Sequence, residues 1–105
     1  MVTKRQKLVT DALLALIPQA PLADTTQIRA LANREHMRTL PVERAIWLAT
    51  VTHMRHNHTA YHALLADGYD RDTARHFVLD ETNDVLQHWH SRRFVDDDDI
   101  DNEDV

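Results

Sequence analysis

Residues 53–76 read HMRHNHTAYHALLADGYDRDTARH. This stretch holds five of the eight histidines, three arginines and the only glycine, Gly68. It also contains the joint between two helical patterns, so its reading sets the fold. On the N-terminal side, Ile46, Trp47, Thr50, Val51 and Met54 recur at helical spacing, and the same period continues through Tyr61, Leu64 and Leu65. Residues 41–67 therefore read either as one long helix or as two, broken at Asn57-His58-Thr59. The break is preferred, because three polar residues in a row favour a kink and Thr59 can cap a short helix of residues 60–67. Gly68 ends this element as a left-handed stop. Asp70 then caps a last helix over about residues 71–91, whose inward stripe is Ala74, Val78, Thr82, Val85 and Trp89, with Phe77 and Leu86 at its edges.

Working outward, Val9, Ala12, Leu13, Leu16 and Ile17 give a helix over residues 4–17, stopped by Pro18 and Pro21. Lys4, Arg5 and Lys7 ahead of an apolar run loosely resemble a secretory signal, but Asp11 interrupts the run and an amphipathic helix fits as well. A second helix is expected from Asp24 or Thr25, with Asp24 and Gln27 as a capping box and Ile28, Leu31 and Ala32 as its apolar stripe. Pro41 suits the first turn of the third helix. With one glycine and three prolines in 105 residues, tight-turned sheets are disfavoured. The expectation is an all-α fold: a compact bundle of four or five helices in one domain, residues 1–95, followed by a disordered acidic tail, residues 96–105.

The net charge of −5 conceals two parts. Residues 96–105 carry seven acids and no base, whereas residues 1–95 hold 12 Lys/Arg against 10 Asp/Glu. A run of like charge is expected to stay solvated. It could also fold over the basic body and compete with an anionic partner. No apolar run reaches the roughly 18 residues that span a bilayer, so no membrane role is expected. The absence of cysteine excludes disulfides, thiolate metal sites and thiol nucleophiles, and fits a cytoplasmic location.

The inventory excludes more chemistry than it selects. One glycine cannot build a phosphate-binding glycine loop. Ser91 is the only serine and stands beside Arg92 and Arg93, which speaks against a Ser-His-Asp triad. The acids before the tail are dispersed, without a glycosidase-like couple. His76–Asp80 and Asp84–His88 lie four apart and read as helix-surface pairs.

Two chemistries remain for residues 53–76. His53, His56, His58 and His62 could hold a divalent metal; His58 and His62, four apart, are the pair that shares a helix face. Their spacing resembles the zinc-peptidase motif, but Thr59 replaces the glutamate base, so a peptidase is not expected. The other chemistry is anion binding: Arg55, Arg71 and Arg75 can grip phosphate, with His56, His58 and Tyr61 beside them. The preferred expectation is non-catalytic binding of nucleic acid or a protein through Arg55, His56, His58, Tyr61, Arg71 and Arg75. A metal-dependent or acid–base enzyme using His53, His56, His58 and His62 is the alternative. Small helical domains also bury a spare apolar face by pairing, so a homodimer is a further expectation.

The runs Arg38-Thr39-Leu40-Pro41, Arg44-Ala45-Ile46-Trp47, R-H-x-H-T-x-Y-x-x-L-L from Arg55, G-Y-D-R-x-x-A-R from Gly68, and the late Trp89 together resemble a prokaryotic domain-of-unknown-function family, number 2293. The resemblance covers residues 24–92. It implies no activity, substrate or cofactor. It does single out Arg55, His56, His58, Thr59, Tyr61, Asp70, Arg71 and Arg75 for a dedicated role, with capping an equal claim on Thr59 and Asp70.

Overall fold

A computed structural model of the chain describes residues 2–96. The described residues form six α-helices and no strand: α1 (Lys4–Leu16), α2 (Leu22–Ala32), α3 (Val42–His58), α4 (Tyr61–Ala66), α5 (Arg71–Phe77) and α6 (Leu79–His88). A single 3-10 turn, Glu35–Met37, lies between α2 and α3. The acidic run expected at the C-terminus lies outside the described residues, apart from Asp96.

The third helix is the axis of the fold. Every residue from Ala45 to Val51 is buried, so α3 has no solvated face over two turns and must be wrapped on all sides. Its neighbours are α1, α2, α4 and α6. The stripes expected from sequence supply most of the wrapping, although Leu86, expected at an edge, is fully buried and Val85, expected inward, is only partly so. Val9, Leu13 and Ile17 come from α1 and its exit, Ile28 and Ala32 from α2, and Leu86 and Trp89 from α6 and its exit. A second, smaller cluster joins Tyr61 to Ala74 and Val78, with Leu64 and Leu65 packed against it.

The break after α3 falls where the polar triplet suggests. Thr59 is extended, its hydroxyl donates to the Arg55 carbonyl at 2.7 Å, and its oxygen accepts from the Tyr61 amide at 3.2 Å. One side chain thus closes α3 and bonds across the break, but Ala60, not Thr59, stands at the N-cap of α4. Gly68, at φ 100°, ends α4. The Tyr69 amide donates to the Leu64 carbonyl and the Gly68 amide to that of Leu65, the paired bonds of a Schellman stop. Asp70 caps α5 by accepting from the Thr73 amide at 2.8 Å.

Three boundaries differ from the sequence reading. The second helix begins at Leu22 behind Pro21, not at Asp24, whose carboxylate is engaged elsewhere. Pro41 stands just before α3, not within its first turn. The last helix is two helices, which raises the count to six: Val78 has ψ 9°, and the Thr82 hydroxyl donates to its carbonyl at 2.9 Å. Such back-bonding from threonine bends a helix.

After α6, His90 takes φ 57° and the Ser91 amide donates to the Leu86 carbonyl, again a Schellman stop, but with no glycine. The chain then docks back. The Arg92 amide donates to the Leu16 carbonyl, and the Asn83 side-chain amide both donates to and accepts from the Val95 backbone, at 2.9 and 2.8 Å.

Met54 is fully buried on α3. Met54→Ala should lower unfolding free energy by about 2–5 kcal/mol, read as a lower urea midpoint at unchanged slope.

Candidate functional site

The last turns of α3 change character abruptly. Beyond Val51 the helix carries Thr52, His53, Arg55, His56, Asn57 and His58, and successive residues turn by about 100°, so these groups splay to both sides of the helix.

On the α2 side, His53 Nε2 lies 2.7 Å from Asp24 Oδ1 and His58 Nε2 lies 2.6 Å from the same oxygen. The His53 side chain is 2% exposed, Asp24 14% and His58 33%. The Asn57 amide nitrogen donates to the His53 carbonyl at 2.9 Å and faces His53 Nδ1 at 3.1 Å. That nitrogen has only protons to offer, so Nδ1 accepts and the His53 proton sits on Nε2, directed at Asp24. Burial alone would raise the Asp24 carboxyl. The hydrogen bonds from His53 and His58, and the charge those rings carry when protonated, outweigh it and hold the carboxyl below its usual value. The edge of His58 packs on Trp89, ring centroids 5.4 Å apart.

On the α4–α5 side lies a cleft of about 290 Å³ lined by Thr52, Arg55, His56, Tyr61, His62, Leu65, Arg71 and Arg75. Among these described residues there is no acid. Arg55, 4% exposed, lies over the Tyr61 ring at 5.5 Å. His56 Nδ1 and His62 Nε2 are 2.5 Å apart, so one ring donates to the other. His56 titrates below the ordinary imidazole value, first because its surroundings desolvate it and then because His62, Arg55 and His53 repel a positive charge. Arg75 lies 3.9 Å from the exposed Asp72.

A second hollow of about 420 Å³, lined by Gln27, Ala30, Leu31, Arg34, Thr52, His53, His56 and Asn57, lies across the α3 ridge. Thr52 and His56 line both hollows. The Thr52 hydroxyl is buried at that ridge without a hydrogen-bond partner among the described residues.

Of the binding residues named from sequence, Arg55, His56, Tyr61, Arg71 and Arg75 line one cleft, and His62 joins them. His58 does not: it faces Asp24 and Trp89. The metal pair named from sequence, His58 and His62, is held by separate partners, His58 by Asp24 and His62 by His56. Asp24 and Asn57 are site residues that sequence reasoning misses. Asp24 reads as a helix cap, and nothing in its neighbourhood signals histidines 29 and 34 positions away.

The family model described as "Uncharacterized conserved protein (DUF2293)" matches residues 12–90. The chain belongs to the DUF2293 family. The match takes in every residue of both hollows, and begins earlier than the sequence runs suggest. No curated protein and no solved structure matches the chain. Among the described residues of this DUF2293 protein, no helix is long and apolar enough to cross a membrane.

Asp24→Ala leaves the buried His53 donor without its acceptor, and should cost about 1–3 kcal/mol at neutral pH. The folded carboxyl titrates below its unfolded value of 3.8. Its contribution is therefore complete above that value and is lost as pH falls through the lower folded one. Urea midpoints of parent and variant should stay apart down to about pH 4 and converge below it.

Proposed function

We propose that this chain is a non-catalytic binding module that holds the phosphates of a nucleic-acid strand in the α4–α5 cleft. One observation carries the reading: Arg55, Arg71 and Arg75 converge with His56, His62 and Tyr61 on one concave surface that has no acid among its described lining residues. Guanidinium groups grip phosphate oxygens two at a time; Arg71 is exposed and Arg75 half-buried, while Arg55 and Tyr61 are buried beneath them.

The hollow beyond the ridge supports a polymer over a single phosphate. It adds Arg34 and shares Thr52 and His56 with the cleft, so basic and polar groups run from α2 across α3 to α5. The charge balance of residues 1–95, 12 bases against 10 acids, suits contact with phosphate that is local and not spread over the whole surface.

Fluorescence anisotropy with labelled single-stranded and duplex oligonucleotides tests this. Binding should weaken steeply as salt rises, because displaced counterions contribute to affinity. Arg71→Ala and Arg75→Ala should each weaken it about tenfold and reduce the salt slope by about one. Binding that is undetectable at low salt, or indifferent to the double variant, overturns the reading.

The pH dependence has a defined sign. His56 is held neutral at pH 7, and a bound phosphate favours its imidazolium. Affinity should therefore rise as pH falls from 7.5 toward 6, and His56→Ala should flatten that rise, read in the same anisotropy assay.

A further inference from the structure

We propose that Asp24, His53 and His58 form a three-ligand site for a divalent transition-metal ion of the zinc class, separate from the arginine cleft. Their donor atoms, one carboxylate oxygen and two imidazole nitrogens, all lie within 4.8 Å of one another. They come from α2 and from the last two turns of α3, two helices packed against each other, so the group does not depend on a mobile loop.

The donor set selects the ion. Two neutral imidazoles and one carboxylate suit Zn²⁺, Co²⁺, Ni²⁺ or Fe²⁺. Mg²⁺ and Ca²⁺ require oxygen ligands throughout, and only Asp24 offers one here. Three protein ligands leave at least one coordination position open, the arrangement of zinc sites that also bind water or an exchangeable ligand. The buried ring of His53 closes the inner side, while the part-exposed Asp24 and His58 leave the outer side accessible. Asp24 supplies the one anionic oxygen donor of the set, which offsets part of a dication's charge.

Binding has a chemical requirement that the geometry makes explicit. Both Nε2 atoms now point at Asp24 Oδ1. A metal needs the lone pair of each, so each neutral ring moves its proton to Nδ1. For His53, the proton on Nδ1 would face the Asn57 amide nitrogen, so that side chain must turn away and give up its bond to the His53 carbonyl. No proton is lost from a neutral ring; it changes nitrogen.

Titration of the full chain with CoCl₂ and with ZnCl₂, followed by calorimetry and by the visible absorption of Co²⁺, tests the assignment. The expected result is one ion per chain, undisturbed by excess MgCl₂. Asp24→Asn and His58→Ala should each weaken binding by more than the roughly 10–100-fold that loss of an outer-shell partner costs. His62→Ala, outside the site, should leave affinity unchanged. His58 is part-exposed, so its variant is expected to fold, and circular dichroism checks this for both. Absence of stoichiometric Co²⁺ binding overturns the proposal. So does binding that survives Asp24→Asn and His58→Ala, or that disappears with His62→Ala. The nucleic-acid assay uses Arg71 and Arg75, so failure of either reading is distinguishable from failure of the other.

Discussion

Burial of α3 on every side is the constraint from which the remaining architecture derives. A helix with Ala45, Ile46, Trp47, Leu48, Ala49, Thr50 and Val51 all withdrawn from water exposes no polar face over that span. Other helices must therefore cover it from several directions, and α1, α2 and α6 do so with apolar stripes one helix-face wide. The small alanines on α3 permit close approach, and the large side chains around them fill the spaces between. Even Thr50 is fully buried within this sleeve.

The chemistry gathers where the sleeve ends. Past Val51 every residue as far as His58 except Met54 carries a polar group, and the flanking elements decide which of these groups are drawn inward. On one flank α2 presents Asp24; on the other α4 and α5 present Tyr61, His62, Arg71 and Arg75. The ridge of Thr52 and His56 between the two flanks borders a hollow on each side. A single rigid helix end thus positions two groups of side chains with different ligand chemistry.

Much of this is legible in the residues. Helical spacing identifies the stripes of α1, α2 and α3 because one-sided or all-round burial leaves a periodic trace. Gly68, Thr59 and Asp70 are readable as stops and caps because the required backbone geometry restricts residue choice. The division at Val78 is not readable: α5 and α6 share one phase of apolar residues across the bend, and a threonine bonded to its own helix looks like any other. Asp24 misleads for a related reason. An acid near a helix start, with glutamine three residues on, satisfies a local rule, while its actual partners lie 29 and 34 residues away in sequence. Local patterns report local bonds; a carboxylate shared by two distant rings leaves no periodic mark. The arginines of the cleft can be named from sequence but not assembled, since their convergence depends on the angle of the turn at Gly68.

The exit from α6 bears on the rigidity of this region. His90 adopts the left-handed conformation without being glycine, at a cost of roughly 1–2 kcal/mol. That strain is offset by the bond from the Arg92 amide to Leu16 and by the double clamp of Asn83 on Val95. The residue before His90, Trp89, is the wall against which His58 rests. Were the segment after His90 to lift away, the spring it restrains would unwind the final turn and loosen the indole. The imidazole at position 58 would then keep its bond to Asp24 but lose the indole edge it packs on. The stiffness of one part-exposed ring at the end of α3 is thus set in part by an anchorage beyond α6.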